Sequence, residues 1–318
     1  MISFESDYNN GMLPEILENL SKTNDDKTSG YGFDPYSESA KKKIRKAIGN
    51  EEADVFFLIG GTQTNTTVID SLLLGCEGVI CVETGHIEVH ESGAVEAFGH
   101  KVLTIPSTDS KLKAADLADY METFLGDETH PHMVQPGMVY ISLPTELGMV
   151  YSKEELAELY STCQKYQLRL FIDGARLGYG LMSEACEYDL PYVAEHCDVF
   201  YIGGTKVGAM FGEAVVFSGM KAPKYFFTNV KRHGALLAKE ECLAFSLTPS
   251  LRMAYISRFP SMPLIWLLLF ARYLPSTTYH WLTIRQQTNS LSSFRLLFIR
   301  LSPSLLLSRF GRRRMSKR

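Results

Sequence analysis

The sequence predicts an α/β domain built on a mostly parallel sheet. Short apolar runs of four to six residues alternate with helical stretches through the first 240 residues. Residues that carry chemistry fall just after several of those runs, where open α/β sheets bind ligands. We expect an N-terminal arm over 1–34, the α/β domain over 35–240 and a different kind of text over 241–318.

Residues 1–34 read as an extended arm with turns at Asn9-Asn10-Gly11 and Ser29-Gly30-Tyr31-Gly32. Residues 37–48 (SESAKKKIRKAI) read as a helix opened by Ser37 or Ser39. A strand over 54–59 leads into the turn Gly60-Gly61-Thr62 and a helix over 64–74. Further strands are predicted over 79–82, 101–105 and 138–142. A helix over 152–166 precedes a strand over 168–172 that ends at Asp173. The strand over 199–202 stops just before Lys206, and one more follows over 214–217.

Composition narrows the class of protein. Of 318 residues, 45% are hydrophobic and 21% charged, so the bulk of the chain is globular rather than disordered. The first twenty residues carry Glu5, Asp7, Glu15 and Glu18 with no basic residue, which argues against a secretory or mitochondrial leader. Six scattered cysteines with no CxxC pair read as reduced thiols, so the expected location is the cytoplasm.

The charge is unevenly spread. All 36 acidic residues lie in 1–241, whereas 242–318 hold 12 Lys and Arg and no acid. A nucleic-acid arm would explain Arg312-Arg313-Arg314, but not the surrounding Leu, Phe and Trp. A membrane anchor would need about 20 apolar residues; the uncharged run over 259–271 has 13 and contains two prolines. Leu, Ser and Arg, the three residues with six codons, fill 39 of these 77 positions. That bias indicates out-of-frame translation. Back-translated and shifted by one base, the segment can be read as an acid-containing, amphipathic sequence. A one-base deletion, or a sequencing error, near the codon for Glu240 would account for both observations. We expect no nucleic-acid or membrane partner.

Several residues stand where a ligand would sit. Gly60-Gly61-Thr62 follows a strand and opens a helix, a place where backbone N–H groups hold phosphate; a plain glycine turn capped by Thr62 explains it equally well. Asp173, before Gly174-Ala175-Arg176, is either a helix cap or a site acid. Lys206, in GGTK between a buried strand and a glycine-rich apolar stretch, reads as an amine held inside, with its pKa lowered by desolvation. His86 and His90 have i, i+4 spacing beside Glu91, but HxxxHE is not the HExxH zinc signature, and we expect no metal. Pyridoxal 5'-phosphate needs a Schiff-base lysine, an acid for the pyridine nitrogen, a phosphate cradle, a flat partner for the ring and a cation for the substrate carboxylate. Lys206, Asp173, Gly61-Thr62, His86 and Arg176 supply these in turn.

With these residues placed, the chain resembles the threonine aldolase and aromatic amino acid β-eliminating lyase family. These are pyridoxal-phosphate enzymes of the aspartate aminotransferase-like fold, fold type I. The resemblance spans about residues 4–239 and rests on FESDYNNGMLPEIL, YGFDPYSESA, GGTQTN, ETGHIEVHESGAVEAFGHKV, SLPTELGMVYS, FIDGARLGYGL and DVFYIGGTKVGAMFGEAVVF. It implies that Lys206 forms the Schiff base, Asp173 pairs with the pyridinium nitrogen, His86 stacks on the ring, and Gly61 and Thr62 hold the phosphate. It also implies that Arg176 and Ser6 contact the substrate carboxylate, and that Tyr31 lies near the site, reaching across a subunit interface. The implied assembly is a homo-oligomer, a dimer of dimers. The implied reaction is retro-aldol cleavage of threonine or allo-threonine to glycine and acetaldehyde. A β-elimination or transamination on the same fold, or a non-catalytic remnant, are the alternatives. The family's small C-terminal domain, which supplies a further arginine, is expected to be missing or replaced here, leaving an inactive or poorly soluble chain.

Overall fold

The computed structural model describes residues 6–250. Helix α1 (Pro14–Thr23) and helix α2 (Pro35–Ile48) precede the first strand, β1 (Asp54–Leu58). Then follow α3 (Gly61–Leu72), β2 (Glu77–Val82), α4 (His86–Val89), α5 (Ala94–Ala97), β3 (Val102–Ile105) and α6 (Ala114–Gly126). The middle of the chain holds β4 (Gln135–Ser142), α7 (Lys153–Lys165), β5 (Arg169–Asp173), α8 (Leu177–Leu181), α9 (Leu190–Glu195) and β6 (Val199–Gly203). Strand β7 (Glu213–Phe217), α10 (Phe226–Arg232) and α11 (Glu241–Ser250) complete the described chain.

Seven strands form one sheet in the order β1-β7-β6-β5-β4-β2-β3. Strand β7 pairs antiparallel with both β1 and β6, and the remaining neighbours are parallel. Six strands therefore deliver their carboxyl ends to one edge of the sheet. Strand side chains alternate between two apolar layers. One layer takes Ile80, Val139, Leu170, Phe200 and Val216 against α2, α7 and α9. The other takes Val79, Met138, Phe171, Tyr201 and Val215 against α3 and α10. Sheets covered on both faces read as continuous apolar runs, which is why every strand was visible in the sequence.

Helix starts follow local chemistry. Helix α2 opens at Asp34, not at Ser37 or Ser39 as expected. The buried Asp34 carboxylate accepts from Ser37 N at 2.7 Å and Ser37 Oγ at 2.6 Å, and Pro35 presets the first helical φ. Helix α7 begins with a capping box, Ser152 Oγ accepting from Glu155 N at 3.1 Å and Glu155 Oε2 accepting from Ser152 N at 2.7 Å. The N-terminal arm is not wholly extended. It contains α1, whose Ile16 is buried, and Leu13 N donates to Gly208 O at 3.0 Å. The ten residues of α1 are amphipathic, but turn residues flank them on both sides, and those dominated the sequence reading.

The chain goes on packing past Glu240. In α11, Leu243, Ala244 and Leu247 are buried against α2 and the sheet. Leu243 and Leu247 also press on the loop that carries Lys206: a Cβ on Gly212 would lie 2.4 Å from Leu243 Cδ2, and one on Gly204 would lie 2.6 Å from Leu247 Cδ2. Residues 251–318, with most of the expected out-of-frame text and the expected replacement of the small domain, lie outside the described residues.

Candidate active site

The sheet edge collects the predicted residues. Gly61 opens α3 after β1, His86 opens α4 after β2, Asp173 ends β5 and Lys206 follows β6 by three residues. Close backbone approach brings the last two together. A Cβ on Gly174 would lie 1.8 Å from Tyr201 O, and one on Gly203 would lie 2.5 Å from Ala175 O, so only glycine fits at either place.

Asp173 is buried and fully engaged. Its Oδ2 accepts from Tyr140 Oη at 2.5 Å and Asn65 Nδ2 at 3.1 Å. Its Oδ1 accepts from Ala175 N at 2.9 Å and from the Tyr201 hydroxyl. Burial pushes this carboxyl up, but the Tyr140 and Tyr201 hydrogen bonds, the Ala175 amide and the charge of His86 outweigh it. The carboxyl is held below the usual aspartate range.

Asn65 extends the network. Its Nδ2 also donates to Glu91 Oε1 at 2.7 Å, and that same oxygen lies 2.8 Å from His86 Nδ1. The Glu91 hydrogen bond raises the His86 pKa against the opposing effect of burial, with the charge of Asp173 adding to the rise. His86 N donates to Glu146 Oε1 at 2.9 Å, which fixes the start of α4. His90 sits beside His86, with ring centroids 5.6 Å apart.

Lys206 is half-buried. Its Nζ makes no hydrogen bond or ion pair among the described residues. Desolvation, then the charge of Arg176, lower its pKa. Its backbone is held by the Tyr179 hydroxyl, which donates to Lys206 O. Glu213 ties down the start of the same loop, accepting from Gly204 N at 3.0 Å and Thr205 Oγ1 at 2.9 Å. Burial raises the Glu213 pKa to about 8.

Arg176 does not face an empty site. Its Nε and Nη2 donate to the Asp7 carboxylate, the second at 3.3 Å. Asp7, Tyr8 and Asn10 of the arm line a small cleft together with Lys206. Ser6 is the neighbour of this contact rather than a maker of it. Tyr31 lies elsewhere, with Lys231 Nζ 4.9 Å from its ring and its N donating to Ala238 O at 3.3 Å.

The residues fit a phosphate-bearing aromatic cofactor. Among the described residues, the N–H groups of Gly61, Thr62 and Gln63 in the first turn of α3 meet no acceptor. Thr64 Oγ1, Asn65 Oδ1, Thr84 Oγ1 and Glu91 Oε2 are buried without partners. An ionised, hydrogen-bonded acid and a neutralisable amine stand at adjacent strand ends. Sequence reasoning assigned no role to Asp7, Asn65, Tyr140 or Tyr201, and named Glu91 only as a neighbour of His86 and His90; all of these but Tyr140 lie within the motifs that carry the resemblance.

Comparison with known proteins identifies the family and the fold. The family model for beta-eliminating lyases matches residues 4–299. The chain belongs to the beta-eliminating lyase family. That match runs past Lys239, where the sequence resemblance was expected to end. A Pseudomonas protein named low specificity L-threonine aldolase is 34% identical over 249 residues, covering 76% of this chain and 69% of the relative. A Saccharomyces cerevisiae protein of the same name is 26% identical over 149 residues, covering 46% of this chain and 37% of the relative. The solved threonine aldolase of Leishmania major superposes with a TM-score of 0.75 at 37% identity, covering 85% of this chain and 75% of that one. Aspartate aminotransferase from Thermus thermophilus shares the fold, with a TM-score of 0.61 at 13% identity over 83% of this chain and 66% of its own. Among the described residues, no helix is long and apolar enough to cross a membrane.

Proposed function

We propose that this member of the family is a pyridoxal-phosphate-dependent carbon–carbon lyase that cleaves L-threonine or L-allo-threonine to glycine and acetaldehyde. The observation that carries the reading is the pairing of an ionised Asp173 with an unpaired Lys206 amine at neighbouring strand ends. The names of its relatives and the aminotransferase-like fold point the same way.

Bound there, the cofactor supplies a protonated pyridine ring that accepts the electron pair left when the Cα–Cβ bond breaks. The chain's own groups do the rest. Lys206 offers a neutralisable amine for covalent attachment. Asp173, locked by Tyr140, Tyr201 and Asn65, keeps a negative charge for the pyridine nitrogen. Gly61 and Thr62 offer backbone donors to the phosphate. His86 offers a flat ring whose Nδ1 is fixed by Glu91. Arg176 and Ser6 take the substrate carboxylate. We propose further that the protein acts as a cytoplasmic homo-oligomer in which Tyr31 lies at the interface. Exposed aromatic surface supports this: the Phe33 and Phe227 rings are 5.7 Å apart, and α10, which carries Phe227, also carries Lys231 against Tyr31.

The test is an absorption spectrum of the chain with pyridoxal phosphate before and after borohydride, with the modified peptide mapped. A borohydride-stable adduct on Lys206 that is lost in Lys206→Ala supports the reading, and acetaldehyde release from threonine completes it. A folded chain with no adduct overturns it. The proposal includes a one-base deletion near the codon for Glu240, which an uninterrupted frame in closely related genes would overturn.

A further inference from the structure

An arginine that recognises a substrate carboxylate must present two N–H groups in a fixed direction. Guanidinium has five donors in one plane, arranged as two edges that each match a carboxylate. In Arg176 the Nε/Nη2 edge is already taken, because both atoms donate to Asp7. The end-on edge, Nη1 with the second hydrogen of Nη2, has no partner among the described residues. A guanidinium held along one edge cannot rotate, so the direction of the other edge is set.

The surroundings of Asp7 fit a permanent partner rather than a passing one. The Asp7 side chain is only 9% exposed and that of Arg176 23%. Burial works against the Asp7 carboxylate, but the charge and hydrogen bonds of Arg176, with the charge of Lys206, hold its pKa below the ordinary value. The arm that carries it is anchored nearby by Leu13 N donating to Gly208 O at 3.0 Å, on the Lys206 loop. Asp7 also offsets the positive charge of Arg176 where it faces Lys206; the two act on the lysine in opposite directions.

We propose that Asp7 is a positioning residue: it holds Arg176 by one edge so that the other edge receives the carboxylate of the amino acid substrate. The inference rests on the lyase reading given above. It differs from a gate, in which Asp7 would stand in for the substrate carboxylate and leave when substrate arrives. The two make opposite predictions for affinity.

The test uses the full chain loaded with pyridoxal phosphate and titrated with glycine, read as the glycine-induced change in cofactor absorbance. Wild type, Asp7→Asn and Asp7→Glu are first reduced with borohydride to confirm the adduct on Lys206. In Asp7→Asn the half-saturating glycine concentration is expected to rise about tenfold, the loss of roughly one charge-assisted hydrogen bond. Asp7→Glu, which keeps the carboxylate, should recover part of that loss. The pH midpoint of the cofactor band should also fall in Asp7→Asn, because the Arg176 charge is no longer offset. An unchanged or lower half-saturating concentration with the adduct intact overturns the inference. If Asp7→Asn fails to fold, an Asp7→Glu chain that binds glycine more weakly than wild type, by less than about tenfold, supports it, and one with wild-type or tighter binding overturns it. A wild-type chain that forms no Lys206 adduct instead overturns the lyase reading, and the inference falls with it.

Discussion

The hydroxyl of Tyr140 lies 2.5 Å from Oδ2 of Asp173, at the end of the neighbouring strand. Strand register explains the meeting. Ser142 and Asp173 are cross-strand partners, and Tyr140 lies two residues back on the same face. Tyr140→Phe should cost about 2 kcal/mol, because a buried carboxylate loses a donor. The sign with pH follows from the lowered Asp173 pKa. Its contribution is fully present above the usual value of 3.8 and is lost as pH falls through the lower folded value. Thermal unfolding should show the deficit undiminished at neutral pH and shrinking below about pH 4. A deficit that grows with acid would contradict the assignment.

Glu91→Gln tests the other end of the network. Glu91 is the leading cause of the raised His86 pKa. The NMR titration midpoint of His86 should move down in the variant. A raised histidine contributes stability below the unfolded value of 6.5 and loses it as pH rises through the folded value. The variant should therefore be more destabilised near pH 5.5 than near pH 9. An unmoved midpoint would show that Glu91 does not act on His86.

Strand ends were legible because the strands were. Asp173 and Lys206 follow unbroken apolar runs, and a polar residue at such a place stands out. Their supports were not legible. Tyr140 and Tyr201 read as ordinary strand aromatics, and nothing local shows that their hydroxyls converge on one carboxylate. Asn65 sits in the middle of a helix, 26 residues before Glu91 and 108 before Asp173, so its role exists only after the sheet has closed. Asp7 meets Arg176 across 169 residues. Helices α8 to α10, of five to seven residues, are too short to show a period.

Glu213 gives a prediction of opposite sign to Asp173. Its pKa is raised by burial from 4.5 to about 8, so the folded chain binds an extra proton between those values. Stability from this group is lost as pH rises through that window, with a limiting slope of about 1.4 kcal/mol per pH unit. Glu213→Gln removes the titration. The variant should gain on the wild type in thermal unfolding as pH goes from about 6 to about 9. Parallel curves for the two chains would show that Glu213 is ionised throughout.

Leu243→Ala should cost about 2–5 kcal/mol, as expected for a large side chain deleted from a core. It should also loosen the Lys206 loop, since Leu243 packs against Gly212. Hydrogen exchange at Val207 and Ala209 should rise more than at strand β4. Equal changes across the sheet would mean that α11 stabilises the fold without bracing the loop.

The position of α11 also sets an order of events during synthesis. All seven strands and Lys206 lie before residue 218, yet the floor beneath the lysine loop is Leu243 and Leu247. A growing chain halted anywhere between those points has every strand of its sheet and no support under its reactive amine. The lysine can take up its final setting only after residue 247 has left the ribosome.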